Sequence, residues 1–540
     1  MPAREQATSS HRENLDRWHY ISRASDAQFA NHLGASDRAE PATVEKEFEV
    51  NPRKPAVDRV RADAPVSFVP MGAVDAERGA ITAPEERPFG AVRKGYTAFA
   101  DGDVLLAKIT PCFENGKAAV ASSLRNGLGF GSSEFHVFRP QGAVLAPYLF
   151  HFLRQPQLRA DAAEFMTGTA GQARVPTDHI RGLELPIAPL DEQHRVVVRI
   201  EALLNQVRRA KNRLDRVPRI LKRFRQAVLA AALSGKLTEE WRQGHPEPES
   251  VEARQQRLGA TSEMPRRRRG RGTTGLSEWD PPSDLPESWL VDSVRGLVER
   301  GVILDFQDGN HGSLYPRASE FGDSGTKFIT AKQVFDGRVL HAEAPLLAND
   351  RAAQLRIGFA RPGDVLLTHN ATVGRVAVLP EDAGNCVLGT SVTYYRLRSE
   401  LMLPTFCMHF MQSRLWQRQL EQVMEQTTRN QVSVRKQAEF WMVAPPPDEQ
   451  AVIATRVEAL LGLAAAIEQR VERAAVRAVS LPQAILSKAF AGELVPTEAE
   501  LARTEGRDYE TAEQLLSRAQ REAAVQAPVG RTRRSARVAK

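Results

Sequence analysis

The sequence predicts a duplicated protein: two α/β (α+β) domains joined by two long antiparallel coiled-coil helices, in a pseudo-twofold architecture. Two observations predict it. A stretch beginning Pro189-Leu190-Asp191-Glu192-Gln193 returns as Pro446-Pro447-Asp448-Glu449-Gln450, and the Glu-Ala-Leu-Leu, Gln-Ala-x-Leu and Gly-x-Leu pieces that follow all stand 257 positions from their copies. Upstream, Gly102-Asp103-Val104-Leu105-Leu106 returns unchanged as Gly363-Asp364-Val365-Leu366-Leu367. A fixed period this long marks a doubled half-protein rather than a solenoid.

Taken in order, residues 1–60 read as a polar lead-in with a short helix around Asp26 to Leu33. The first domain follows at 61–189. Val66 to Met71 is a β-rich run, Gly102-Asp103 is a turn feeding the buried-strand run Val104 to Ile109, and strands are expected at Ala118 to Ala121 and toward Phe138. Tyr148 to Ala163 reads as helix, and Val175 to Ile187 as a closing turn and strand. The second domain, 285–446, repeats this order. Lys327 to Thr330 parallels the first strand, Gly374-Arg375 takes the place of Gly116-Lys117, and Gly389 to Leu397 parallels Gly131 to Phe138. Thr405 to Val423 is the helix and Gln431 to Val443 the closing segment.

The two spacer helices are 190–238 and 447–495. In the first, Ile200, Leu203, Val207, Ala210, Leu214, Val217 and Leu221 recur at alternating three- and four-residue steps. In the second, Val457, Leu460, Ala464, Ile467, Val471, Ala474, Ala478 and Leu481 do the same. That is the seam on which helices supercoil. Asp191 and Asp448 stand at the expected N-caps, and Gly235 and Gly492 at the far ends, where glycine takes the left-handed stop. Some forty residues make a rod of roughly 60 Å. Pro218 and Pro482 lie inside the stretches, leaving open one straight helix or two joined segments in each.

Between the halves, 239–284 is rich in Pro, Glu, Arg and Ser and reads as a linker. For its Arg266 to Arg271 run, contact with phosphate and plain solvation both stand. Leu285-Pro286-x-x-Trp289 opens the second half, with Trp289 as a packing anchor. Residues 496–540 read as a basic C-terminal tail, ending in Arg531 to Lys540.

Composition narrows the function. Five hundred and forty residues call for two to four domains. The three cysteines, Cys112, Cys386 and Cys407, have no metal-ligand spacing and cannot all pair, which points to a reduced, cytoplasmic protein. No apolar run of membrane-spanning length and no apolar signal core is apparent, so no membrane role is expected. The net charge of +7 is compatible with nucleic acid. There is no phosphate-binding Gly-rich loop, no dinucleotide fingerprint and no His pair of metal type. Asp280-Pro281-Pro282 lacks the aromatic that an amino-methyltransferase tetrapeptide needs. Asp103 and Asp364 fit turns better than paired catalytic carboxylates. No catalytic, cofactor-binding or metal set emerges, so the chain reads as a non-enzyme. Two like domains held apart by rods can address two separated half-sites on DNA. The competing reading is a non-catalytic coiled-coil scaffold whose domains bind protein partners.

On these residues the chain resembles the specificity subunits of type I restriction–modification systems over about 60 to 500. The resemblance rests on the two Asp-Glu-Gln helix starts, the Gly-Asp-Val-Leu-Leu pair, Leu285-Pro286-x-x-Trp289, Ala107 to Lys117 and Gly129 to His136. The first half lacks the Leu-Pro-x-x-Trp opening, which leaves the start of its domain open. The resemblance implies two target recognition domains that bind a bipartite, asymmetric double-stranded DNA site. It implies two modification (methyltransferase) subunits that use S-adenosylmethionine on adenine, and restriction subunits that hydrolyse ATP; no cofactor is expected in this chain. Loop position and chemistry make Lys108, Asn115, Lys117, Ser132, Ser133 and Arg174 the DNA-binding candidates of the first domain, and Thr368, His369, Asn370, Thr372, Arg375, Arg429 and Asn430 those of the second. Spacer and partner-docking surfaces are assigned to Asp191, Glu192, Gln193, Ile200, Leu203, Val207, Leu214 and Leu221, with Asp448, Glu449, Gln450, Val457, Leu460, Ile467, Val471 and Leu481.

Overall fold

The computed structural model describes residues 41–43, 48–54, 60–169, 171–259, 284–310, 312, 315–335, 337–425 and 430–526. The helix expected around Asp26 to Leu33, the Arg266 to Arg271 run, Arg429 and the Arg531 to Lys540 segment lie outside them. The chain forms two units, Met1–Asn212 with Ala475–Lys540, and Arg213–Ala474. Each therefore combines one domain, the start of its own long helix and the end of the other.

In the first unit one four-stranded sheet runs Glu85–Pro88, Pro65–Val69, Leu128–Gly131, Thr97–Ala100 in spatial order. A second runs Phe48–Val50, Phe135–Pro140, Val104–Ala107, Ala118–Val120. Val104 to Ala107 are all buried, as an apolar run without alternation requires of a strand covered on both faces. The second unit repeats both orders. Ile303–Asp308, Val392–Leu397, Val365–Asn370 and Thr372–Val378 form one sheet, and Thr326–Ile329, Cys386–Leu388 and Phe359–Ala360 are neighbours in the other. In each unit one strand pairs in parallel with a later one: Pro65–Val69 with Phe68 opposite Phe130, and Thr326–Ile329 with Phe328 opposite Val387.

The lead-in is partly structural. Pro41–Thr43 pairs antiparallel with Glu184–Pro186, as Leu290–Ser293 pairs with Trp441–Ala444 in the second unit. Phe48 is buried against the Phe138 ring. The first domain thus begins before residue 61. Its opening strands bond through backbone and bring one large apolar side chain, which leaves no period to read.

The first rod is two helices, Leu190–Leu214 and Val217–Leu233; the second is one, Pro447–Phe490. Pro218 sits in the first turn of Val217–Leu233, where a missing N–H costs least, while Pro482 stays inside its helix. Asp191 and Asp448 lie in the first turns rather than at the N-caps, where a carboxylate still meets the positive end of the helix dipole. Gly492 takes φ 75° and closes a double C-cap: its N–H bonds Ala489 O, and the Glu493 N–H bonds Lys488 O. In the first unit Val196, Val197 and Ile200 share a core with Ile485, Leu486 and Ala489. In the second, Val228, Leu229, Ala232 and Leu233 share one with Ile453 and Val457. Within each unit the start of one rod packs against the end of the other.

Three further expectations change. Pro447–Phe490 is long and apolar enough, by length and composition, to cross a membrane, contrary to the reading that no run reaches that length. The stretch read as a linker holds helices Glu239–Gly244 and Val251–Leu258, with Val251 buried in the second unit's core. The stretch read as a tail holds Glu498–Glu505 and Ala512–Gln526, with Leu515 and Ala519 buried in the first unit's core. Val251–Leu258 and Ala512–Gln526 thus each add apolar side chains to the core that a rod end shares.

Candidate nucleic-acid interface

Hydrogen-bond register matches the two domains residue by residue. The Lys108 N–H bonds Glu134 O at 2.9 Å and Lys108 O accepts from Val175 N; the His369 N–H bonds Ser391 O at 3.0 Å and His369 O accepts from Val432 N. Lys108 and His369 are therefore equivalent, as are Glu134 and Ser391. Backbone bridges join Ile109 to Arg174 and Asn370 to Gln431, so the counterpart of Arg174 is Gln431 rather than Arg429 or Asn430. The Gly389 N–H bonds Ile329 O as the Ser132 N–H bonds Val69 O, so Gly389 matches Ser132, one residue from the match expected with Gly131. Gly374-Arg375 does occupy the place of Gly116-Lys117, because Val376 pairs with Leu367 as Ala118 pairs with Leu106.

Several equivalent positions are internal clamps. Asp103 and Asp364 are buried, and each holds an arginine through two bonds: Arg139 at 2.8 and 2.7 Å, Arg396 at 3.0 and 2.7 Å. Each also accepts from a turn N–H, Ala100 or Arg361, which fixes the turn before the strand. Gln193 and Gln450 are fully buried, with the same three bonds. The oxygen of Gln193 accepts from Leu145 N and its nitrogen donates to Ala143 O and Ala188 O. Gln450 does the same with Leu403 N, Leu401 O and Pro445 O. Glu449, also buried, accepts from Thr238, Arg242 and the Trp289 indole at 2.7, 2.6 and 2.9 Å. Glu192 accepts from Glu498 N, and its desolvated carboxyl titrates above the usual range.

Of the residues assigned to spacer and partner docking, Gln193, Ile200, Leu221, Glu449, Gln450 and Val457 are thus spent inside their own units. Leu203, Val207, Leu214, Leu460 and Val471 are half-buried. Asp191, Asp448, Ile467 and Leu481 are exposed, although Asp448 takes a 2.9 Å bond from Arg254.

The DNA-binding candidates divide likewise. Thr368 and His369 are buried; Thr368 Oγ1 accepts from Arg375 N, and burial pushes the imidazole pKa down. Neither presents a side chain to a ligand, because the strand Val365–Asn370 is covered on both faces at these two positions. Lys117 donates its ammonium to Met71 O at 2.9 Å, and Arg375 lies 3.4 Å from Ala331 O, the equivalent carbonyl. Both cations hold the turn after the equivalent strands Pro65–Val69 and Thr326–Ile329. Ser132 Oγ caps Glu134 N, and Arg174 grips Glu134 at 2.8 and 2.9 Å, holding that carboxyl below its usual range. Asn115, Ser133 and Asn430 are exposed, Lys108 is half-exposed, and Asn370 and Thr372 are half-buried.

Asn370 and Thr372 line a cleft of about 530 Å³ with Tyr315, Phe328, Lys332, Gln333 and Ser391. Sequence reading passed over Tyr315, Lys332, Gln333 and Ser391. A Lys-Gln pair after a strand is too common to stand out, and only the fold brings it to residue 370.

No protein-family model matches the chain. It is 38% identical over 170 residues to the type I restriction enzyme EcoAI specificity subunit of Escherichia coli, a match spanning 31% of this chain and 28% of that protein. It is 29% identical over 389 residues to the type I restriction enzyme StySPI specificity subunit of Salmonella potsdam, spanning 70% and 72% of the two chains. Its fold matches the HsdS subunit from Thermoanaerobacter tengcongensis with a TM-score of 0.56 at 19% identity, covering 84% of this chain and 97% of that one.

Proposed function

From homology to the type I restriction enzyme specificity subunits, we propose that this chain chooses the DNA sequence on which a type I restriction–modification complex acts. Each unit binds one half of a bipartite, asymmetric site, and partner subunits methylate adenine or cut. S-adenosylmethionine and ATP belong to those partners, the chain itself is non-catalytic, and the complex works in the cytoplasm. The observation that carries this reading is the contrast within the duplication. Clamps at Asp103 and Asp364, and at Gln193 and Gln450, are the same, whereas the strand-end rims carry different side chains. A common scaffold with two unlike rims suits two unlike half-sites.

Recognition on this reading is physical. Exposed Lys and Arg neutralise phosphates and release counterions, giving affinity that falls with salt. Rim side chains bond base edges, each good contact discriminating by about 1–3 kcal/mol. The experiment is methylation mapping with the complex of this chain and its modification subunits. The expected result is one bipartite, asymmetric motif. A continuous palindrome, or no preference among random duplexes, rejects the reading.

A further inference from the structure

Resting on that DNA-recognition reading, we propose that the cleft at the strand ends of the second unit receives the edge of one adenine–thymine pair of its half-site, with the Asn370 carboxamide bonding the adenine. One wall is apolar, formed by Tyr315, Phe321, Phe328 and Pro345; the other is polar. The polar wall is sorted by what is already spent. Thr390 donates to Asn310 O at 2.8 Å, Ser391 Oγ accepts from Ala331 N, and Thr330 donates to Gln333 Oε1 at 2.8 Å. Gln333 is 9% exposed, and its oxygen also accepts from Thr330 N. Its carboxamide is thereby locked, and its NH₂ has no partner among the described residues. The Asn370 carboxamide has none either, and Lys332 stands exposed at the edge.

The backbone is built to hold Asn370 there. Asn370 and Thr372 pair across a turn whose tip, Ala371, has φ 60°, in the left-handed region where a β-carbon is strained. The Ala371 N–H bond to Asn430 O, at 2.9 Å, fixes the tip. The first unit shows what is particular to this cleft. Register puts Ala73 where Gln333 stands, Ile109 where Asn370 stands, and the arginine-paired Glu134 where Ser391 stands. The scaffold does not need the carboxamides, since the equivalent domain is built without them.

An asparagine carboxamide presents an acceptor and a donor side by side, which matches adenine N6 and N7 in the major groove. The thymine methyl of the same pair suits an aromatic wall. Gln333 serves as a positioning group and donor, and Lys332 meets the flanking phosphate.

The test uses the full complex with its modification subunits and methylation mapping on a randomised library. Asn370→Ala is expected to relax one position of the second half-site by roughly ten- to a hundredfold, with the first half-site unchanged. Asn370→Asp, which only accepts, is expected to move that position toward cytosine. Lys332→Ala should weaken binding to all sequences alike and flatten the salt dependence by about one phosphate contact. If the wild-type complex yields a bipartite motif and both Asn370 variants, folded by thermal melt, keep it unchanged, the cleft proposal is wrong and the DNA-recognition reading stands. If the wild-type complex shows no sequence preference, both are wrong.

Discussion

The strand-end rim of the first domain and that of the second occupy one backbone place and present opposite chemistry. In the first, Arg174 and Glu134 lock each other in a bidentate ion pair beside Lys108. In the second, Gln431 and Ser391 hold those positions beside a cleft in which the Asn370 carboxamide and the Gln333 NH₂ have no partner among the described residues. Below the rim the chemistry is the same. The buried Asp–Arg pair, the buried Gln with three backbone bonds and the cation pinned to a turn carbonyl recur in both. What had to stay fixed after duplication is the set of groups that cannot lose a partner without leaving a buried charge or donor orphaned. What was free to change is the surface above them, where solvent can take over any lost bond.

The sharpest way to break the comparison is to remove the shared part. Asp103→Ala and Asp364→Ala each strand a largely buried arginine and an uncapped turn. Each is expected to cost about 3–5 kcal/mol in its own unit, the scale for breaking a buried ion pair. Hydrogen exchange checks it. Protection should fall in the strands around Val104–Ala107 for the first variant and around Val365–Asn370 for the second. Equal loss in both units from either variant would contradict two separately clamped domains.

The sequence showed the duplication because its signals are buried and local. Gly-Asp before a four-residue apolar run is a turn and a covered strand wherever it occurs, and both copies fold so. The rod seams were legible for the same reason, although Pro218 broke one rod and Pro482 did not break the other. Residues whose partners lie far along the chain were not legible. Gln193 looks like a polar residue in a helix start, but its bonds are to Leu145, Ala143 and Ala188. Lys117 and Arg375 look like loop cations free for phosphate, and a carbonyl 46 or 44 residues away takes each. The cleft escaped notice because Gln333 lies in the turn after Thr326–Ile329 and Asn370 ends Val365–Asn370, a strand of the other sheet, so only the tertiary fold brings them to one cleft.

A second, smaller effect separates the domains by pH. His151 and His409 occupy equivalent buried places on helices Ala146–Leu153 and Pro404–Gln412. Burial, and after it the Arg154 charge, pushes the His151 imidazole down to about 3; burial also lowers His409, opposed by its contact with Gln412. The folded first unit therefore stays neutral at His151 while the unfolded chain takes up a proton below an ordinary value of about 6.5. Stability should be full above that value and fall as pH drops from about 6.5 toward 3. His151→Phe should flatten this acid limb in urea titrations more than His409→Phe does, because Gln412 partly supports the charged form of His409. An acid limb unchanged by His151→Phe would mean that other groups set it.

The smallest expected effect concerns Lys117 and Arg375, the two cations among the DNA-binding candidates that bond a turn carbonyl. Lys117→Met keeps the aliphatic stem and removes one charged hydrogen bond at a half-buried site, which should cost about 1 kcal/mol. Arg375→Met should cost no more, since its bonds to Ala331 O and Val334 O are both 3.4 Å long, although it also gives up the stack on Phe335 at 5.0 Å. Because both cations bond a turn carbonyl, the half-site motifs mapped with either variant are expected to match the wild type while the melting point falls slightly. A changed base preference in the Lys117 variant with no change in melting point would return that residue to the rim, and the line between shared clamp and divergent surface would have to be drawn below it.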